Sequence, residues 1–467
     1  MHERSNRLAD ALRGRGVGSG DEPGGGIAVM CRNHRGFLDA SLAAAKLGAD
    51  VVYLNTAFAG PQLADVLARE GPRVVVHDQE FTGVLEGAGS AGRVLAWVDD
   101  PAALDPGAVT LESLVGSGRP GDPPAPARPG RVVILTSGTT GAPKGAPRRT
   151  PGIRAATALL SRLPMRSGRR VHVAAPLFHT WGWAHLALAI VLGSTLVLRR
   201  RFDPEGCLAT LVEDRCDALV AIPVMLQRVM ALPQDTRDAY DLSRVEVVAV
   251  SGSALPGDLG EQWMNQFGDH LYNVYGSTEV AYATVASPKD LRAAPGTAGR
   301  PPYGTVVRVL DEDGRQLPPG RTGRIFVANA ALFEGYTGGG GKDVVDGLMA
   351  TGDVGHVDAD GRLVVEGRDD EMVVSGGENV FPAEVEDCLS RHDGVAEAAV
   401  VGVDDPDFGS RLRAFVVAAD DADVTEEDLK AHVRAHLARF KVPREVVLVD
   451  ALPRNATGKV LKRELPG

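Results

Sequence analysis

Long apolar runs are missing from this chain, and so is the apolar stretch behind a basic start that marks a secretory leader: Met1-His2-Glu3-Arg4-Ser5 opens on polar residues. No segment approaches the roughly eighteen consecutive apolar residues of a membrane helix. Neither secretion nor membrane spanning is expected. Cysteine is scarce, and Cys31, Cys207, Cys216 and Cys388 lie far apart, without C-x-x-C spacing or a nearby histidine pattern. This spacing predicts reduced, mostly buried thiols in a cytoplasmic protein. Basic charge is short as well, with 50 Lys and Arg against 61 Asp and Glu and a net charge of −11. A general nucleic-acid or anionic-membrane partner is therefore not expected, although a local basic site for a nucleotide fits. What is present is ample core material: 44% of the 467 residues are hydrophobic and 24% charged, which predicts two or three domains.

The stretch Leu135-Thr136-Ser137-Gly138-Thr139-Thr140-Gly141-Ala142-Pro143-Lys144-Gly145 follows the apolar run 132–135. Glycines leave backbone N–H groups unshielded, hydroxyls add donors, and Lys144 supplies a full positive charge, which is the composition of a phosphate cradle. It is not a Walker A loop, because Pro143 and Gly145 flank the lysine. Standing alone it also reads as a surface turn. The string Thr-Ser-Gly-Thr-Thr-Gly-x-Pro-Lys-Gly resembles the signature loop of the adenylate-forming superfamily, which includes acyl-CoA synthetases, luciferases and peptide-synthetase adenylation domains. The resemblance implies that Thr136, Ser137, Gly138, Thr139, Thr140 and Lys144 bind ATP.

Before this loop, 27–30, 37–47 and 51–54 read as strand, helix and strand, and Pro61 opens a helix that Gly71 closes ahead of a strand at 73–77. Such alternation predicts an α/β fold with a parallel sheet. A helix at 5–12 lies close to the chain start. In the resembling family its Asn-Arg-Leu-Ala segment follows several dozen further residues, so either this protein lacks the usual opening or its start lies upstream. Residues 101–130, rich in Pro, Gly and Asp, predict a loose surface connection. Gly116-x-Gly118-x-x-Gly121 lies within it, but Pro120 and the prolines that follow preclude a dinucleotide-binding helix. After the loop, strands at 171–175, 195–198, 219–222, 245–250 and 271–274 with helices between them predict a second sheet. Ligands bind beyond the carboxyl ends of such strands. From 299 the pattern turns to short strands. The Gly338–Gly341 run before Lys342 fails Walker spacing and reads as a surface loop. The last hundred residues read as a small α+β unit, with helices at 383–391 and from 425 to about 439.

Four further stretches match the resembling family, and together they cover the chain from about residue 5 to its end. Asn273-Val274-Tyr275-Gly276-Ser277-Thr278-Glu279 would place Tyr275 flat against adenine, Gly276 close to the nucleotide, Thr278 on the α-phosphate and Glu279 on Mg²⁺. Its alternative is a helix N-cap with Thr278 and Glu279 in the first turn. Upstream, Gly252, Ser253 and Ala254 resemble the turn that lines adenine. Asp353 in Thr-Gly-Asp would take both ribose hydroxyls, with Arg368 reaching ribose or phosphate; alone it reads as a turn residue. Lys459 in Leu-Pro-Arg-Asn-x-Thr-Gly-Lys, otherwise a solvated surface charge, would bridge the substrate carboxylate and the α-phosphate. His179, between Phe178 and Trp181, matches the acyl-carboxylate pocket with Trp183 as a gate, against an alternative of ordinary core packing. General-base work is not expected of His179, since carboxylates are already ionised. Asp370 resembles the hinge of the family, and Ser375, Gly376 and Gly377 its CoA region. Many CoA ligases carry lysine at the position of Val374, which removes one charge from the contacts expected there.

The resemblance thus implies a large N-terminal domain of two α/β sheet layers, 1–367, with a small β-barrel-like subdomain at about 299–367, followed by a small mobile α+β domain, 368–467. It implies an ATP-dependent acyl-CoA synthetase with Lys459, His179 and Thr278 as catalytic residues, His179, Trp183 and Gly276 at the substrate, and ATP, Mg²⁺ and coenzyme A as cofactors. The stretches 333–339 and 344–349 resemble fatty-acyl ligases and favour a medium- or long-chain fatty acid. An aryl or short-chain acid, a carrier-protein acceptor, and an inactive nucleotide-binding relative are the alternatives. A homodimer is compatible with the sequence.

Overall fold

The computed structural model describes all residues except 19–24, 59, 90, 137–143, 149–152, 338, 372, 376–377, 406–408, 420–421, 456–457 and 467. Its first sheet runs in the order Gly92–Trp97, Val74–Asp78, Ile27–Met30, Val51–Tyr53, Val132–Thr136, Lys144–Arg148. Only the last pair is antiparallel. Val74–Asp78 and Ile27–Met30 are buried at every position, as expected of strands covered on both faces. The helix Arg35–Leu47 stops at Gly48, whose φ of 65° is the left-handed C-cap that glycine adopts without strain.

The second sheet has the order Thr284–Ala286, Leu271–Tyr275, Val247–Val250, Ala218–Ala221, Arg170–Val173, Thr195–Val197, parallel except for its first pair. One apolar core joins it to the first sheet through residues such as Phe37, Tyr53, Leu186 and Trp263. A third, antiparallel sheet carries Val306–Leu310, Gly323–Ala328, Leu348–Val357 and Leu363–Arg368. The C-terminal unit is a three-stranded sheet, Val395–Asp405, Gly409–Ala418 and Glu445–Leu448, covered by the helices Pro382–Ser390 and Glu426–His436. Its core, including Val385, Leu389, Val400, Leu429 and Val433, is separate from that of the large sheets. No helix among the described residues is long and apolar enough to cross a membrane.

The 101–130 stretch departs from the expected loose connection. It contains the helix Leu111–Ser117, opened by a capping box in which Thr110 and Ser113 satisfy each other's backbone N–H. Leu111 and Leu114 are buried, and Glu112 holds Arg4 of the first helix through two hydrogen bonds of 2.6 and 2.8 Å. Pro101 and Pro106 precede this helix, and the denser run of prolines from Pro120 onward begins only after it has ended. The Gly116-x-Gly118-x-x-Gly121 string closes a helix rather than opening one. Near the C-terminus the helix begun at Thr425 stops at His436, and a 3₁₀ turn, Arg439–Lys441, takes over the final residues assigned to it.

Candidate active site

A cleft of about 2410 Å³ lies where the carboxyl ends of the second sheet meet the third sheet and the C-terminal unit. The strand Leu271–Tyr275 runs into it. Gly276 follows, and a Cβ there would lie 2.2 Å from the Ala281 carbonyl oxygen, so only glycine lets the chain fold back. Ser277 Oγ accepts from the N–H groups of Glu279 at 3.2 Å and Val280 at 3.3 Å, and donates to Glu279 Oε2 at 2.9 Å. The segment is therefore a serine-headed turn and not the first turn of a helix. Thr278 and Asn273 line the same cleft, as do Gly252, Ser253 and Ala254, which follow the neighbouring strand Val247–Val250.

Asp353 and Arg368 face each other in register across two strands of the third sheet, with Arg368 Nη1 3.3 Å from Asp353 Oδ1. The Tyr275 hydroxyl donates to the other oxygen, Oδ2, at 2.5 Å. Burial raises the Asp353 carboxyl above its ordinary value, while Tyr275, Arg368 and the charge of Lys459 pull it back. Burial, then the adjacent carboxylate, pushes the Tyr275 phenol well up, so it remains a donor.

Two residues joined to this group escaped the sequence reading. Tyr336 donates its hydroxyl to Glu279 Oε1 at 2.7 Å, and the Lys144 ammonium lies 5.2 Å from its ring centroid. Lys342 is the other. Its Nζ lies 3.1 Å from where a side chain at Gly352 would begin, the same distance as Arg368 Nη1. Gly352, with φ of 85°, is the turn over which these two cations converge. Lys342 has no hydrogen-bond or ion-pair partner among the described residues. Neither residue stands out in the sequence, because only folding brings Tyr336 back to Glu279 and Lys342 to Gly352.

The expected phosphate loop joins the strands Val132–Thr136 and Lys144–Arg148, which pair with Thr136 opposite Lys144. Ser137, Gly138, Thr139 and Thr140 fall outside the described residues, as do Gly376 and Gly377 and the side chains of Thr136, Asp370 and Ser375. Asp370 lies in the 3₁₀ turn Asp369–Glu371 and Ser375 ends the strand Val373–Ser375.

Lys459 enters the cleft from the C-terminal unit. Its segment is a tight bend: Asn455 N donates to the Lys459 oxygen at 2.9 Å, Lys459 N donates to Asn455 Oδ1 at 2.9 Å, and Arg454 pairs with Glu397 at 2.9 Å. Gly458 has φ of 77°, and a Cβ there would stand 2.4 Å from Val224 Cγ1 of the large unit. Glycine at this point lets the bend press against the helix Pro223–Met230. Gln227 Nε2 donates to the Ala396 oxygen at 3.2 Å across the same junction.

His179 caps the helix Thr180–Val191 and lines the cleft. Its Nε2 is buried with no hydrogen-bond partner among the described residues, and burial lowers the ring to about 3, which keeps it neutral. Trp183, 6% exposed, lines the cleft one turn further along the same helix. For Mg²⁺ the donor chemistry fits. Glu279 offers two hard oxygens in the cleft, one accepting from Ser277 and the other from Tyr336, and the remaining lone pairs suit a cation.

The sequence matches the family described as AMP-binding enzyme over residues 1–337 and its C-terminal domain over 384–459. The chain belongs to this adenylate-forming family. It is 34% identical to a feruloyl-CoA synthase of Amycolatopsis over 471 residues, covering all of this chain and 92% of that one. It is 30% identical to the long-chain-fatty-acid–CoA ligase FadD13 of Mycobacterium tuberculosis, again over the whole chain and 91% of the relative. ATP-bound MatB from Rhodopseudomonas palustris superposes with a TM-score of 0.84 at 28% identity, covering 99% of this chain and 91% of that one. As a family member, the protein is an AMP-forming acid–thiol ligase that works with ATP, Mg²⁺ and CoA.

Proposed function

We propose that the enzyme activates an elongated apolar acid, a medium- or long-chain fatty acid, to its acyl-adenylate and then to the CoA thioester. A carboxylate oxygen attacks the α-phosphorus of ATP and the bond to pyrophosphate breaks; the CoA thiol sulfur then attacks the acyl carbon and AMP leaves. Tyr275 stacks on adenine, Asp353 holds the ribose hydroxyls with Arg368 beside it, and Thr278 with Lys144 holds phosphate. Glu279 would hold Mg²⁺, which supplies charge neutralisation to the polyphosphate. Lys459 bridges the two anions that must meet and offsets the charge that builds up between them. The large unit, 1–367, and the small one, 368–467, rotate about Asp370 between the two half-reactions. The neutral ring of His179 leaves the substrate carboxylate ionised and orients it.

The observation that carries the acyl assignment is the helix Thr180–Val191. Thr180, Trp183, Ala184, Ala187, Leu188 and Val191 repeat at helical spacing along the cleft. Twelve residues at 1.5 Å each give an apolar wall of about 18 Å. It starts at His179 and ends at Ile190 and Val191, which are 49% and 67% exposed. A channel open at its far end suits a chain of variable length. One observation favours an aryl acid instead: the Tyr282 hydroxyl, on a buried residue of the same cleft, has no partner among the described residues and would suit a polar ring substituent.

Release of AMP measured over saturated acids of increasing length and over hydroxylated aryl acids tests the assignment. The fatty-acid reading expects kcat/KM to rise with chain length, and Ala187→Phe to shift the optimum to shorter acids. Preference for hydroxylated aryl acids, lost in Tyr282→Phe, would replace it with the aryl reading.

A further inference from the structure

Away from the acyl channel, the two helices of the C-terminal unit bring three metal-binding side chains together. Cys388 lies on Pro382–Ser390 and is 5% exposed. His432 and His436, four residues apart on Glu426–His436, share one face of that helix. One potential ligand atom from each of the three lies within 4.8 Å of the others. The rings of His432 and His436 are 4.3 Å apart, and His392 packs edge-on against His432 at 5.1 Å.

The hydrogen bonds fix the protons. His432 Nε2 bonds to the Cys388 carbonyl oxygen at 3.0 Å, and His436 Nδ1 to the His432 carbonyl oxygen at 2.8 Å. A carbonyl only accepts, so both nitrogens carry hydrogen and the other nitrogen of each ring keeps its lone pair. A backbone carbonyl holding one ring N–H is the support that metal-ligating histidines commonly have.

We propose that Cys388, His432 and His436 form a zinc site that clamps these two helices together. A thiolate with two imidazoles matches Zn²⁺ and excludes Mg²⁺ or Ca²⁺, which require oxygen ligands. Bonds of roughly 2.0–2.3 Å put ligand atoms of one ion within about 4 Å of each other, near the 4.8 Å within which these side chains already gather. Binding forms one Zn–S and two Zn–N bonds and releases the thiol proton to solvent; a fourth position remains for water. The ligands come from segments 44 residues apart, which is why the cysteine spacing gave no metal signal. The same first helix carries Glu386, which accepts from Val400 N at 2.7 Å and pairs with Lys462 at 2.8 Å, so the clamp bears on the frame that carries Lys459.

The test uses tag-free full-length protein stripped of metal, titrated with zinc by calorimetry and with Co²⁺ by absorbance. One zinc per chain is expected, together with a thiolate-to-cobalt charge-transfer band. Cys388→Ser should abolish the band, and His436→Ala, at an exposed position where folding is not at stake, should weaken zinc at least about tenfold. Failure to retain zinc after desalting, a cobalt adduct without that band, or one-to-one binding that survives both substitutions would overturn the proposal.

Discussion

Tyr275 donates its phenolic hydrogen to Asp353 across 78 residues of sequence, and Arg368 holds the other oxygen of the same carboxylate. The acid is thereby aimed before any nucleotide arrives. Tyr275→Phe keeps the flat ring but deletes this bond. One hydrogen bond to a charged group contributes roughly 1.5–3 kcal/mol, of which about 1.4 kcal/mol corresponds to a tenfold change. The variant should raise the KM for ATP about tenfold or more with a smaller effect on kcat. Acid-dependent pyrophosphate exchange at varied ATP reads both parameters, and an unchanged KM would mean that Asp353 is held by its strand alone.

Lys342 and Arg368 both approach Gly352, so two cations line the cleft beside the Asp353 carboxylate, where the proposed function puts the nucleotide. For a half-buried ammonium the expected contribution is about 1 kcal/mol, and salt should screen it. Lys342→Ala should raise the ATP KM about fivefold at low ionic strength and less in high salt, with Lys342→Arg restoring most of the loss. A defect in kcat alone, insensitive to salt, would remove Lys342 from the nucleotide site.

The alternation of strands and helices was legible because each strand of the two large sheets is a short apolar run bounded by turn residues, and the glycine at 48 closes its helix as its position implied. The residues that line the cleft were legible where they sit in contiguous strings, as from Asn273 to Glu279. Tyr336 and Lys342 were not, because their meaning depends on folding: Tyr336 meets Glu279 across 57 residues of sequence, and Lys342 reaches Gly352 from ahead of the strand Leu348–Val357. The helix after Thr110 was hidden for a different reason: its capping box is short and the prolines beyond it dominated the local composition. Cys388 and its two histidines belong to the same class as Tyr336, joined only by helix packing.

His179 and His185 are both buried, each with Nε2 unpaired among the described residues, and burial lowers them to about 3 and about 4 from 6.5. Between those values and 6.5 the unfolded chain binds protons that the folded one refuses. Stability is therefore fully present above pH 6.5 and is lost as pH falls. Each histidine costs about 1.4 kcal/mol per pH unit in that window, so about 2 kcal/mol between pH 6.5 and 5. Urea unfolding at these two pH values should show the loss, and His185→Gln should reduce it by about half. Equal slopes in both proteins would mean that His185 is protonated in the fold.

Lys459 is exposed on its own unit yet close enough to Asp353 to pull that carboxyl down, and the Gly458 beside it fits only because it lacks a side chain. Position and charge can therefore be separated. Lys459→Ala removes the ammonium while leaving the bend, and should cut adenylate formation by about 10²–10³, the scale on which a single preorganised donor acts. Thioester formation from supplied acyl-adenylate should be largely spared. Gly458→Ala keeps the ammonium but places a methyl against Val224 and strains a backbone at φ of 77°, so it should impair adenylation while a methyl-sized reduction, Val224→Ala, restores part of it. Equal loss of both half-reactions in Lys459→Ala would show that the lysine serves the fold rather than the first step, and failure of Val224→Ala to rescue would show that the bend does not act through this contact.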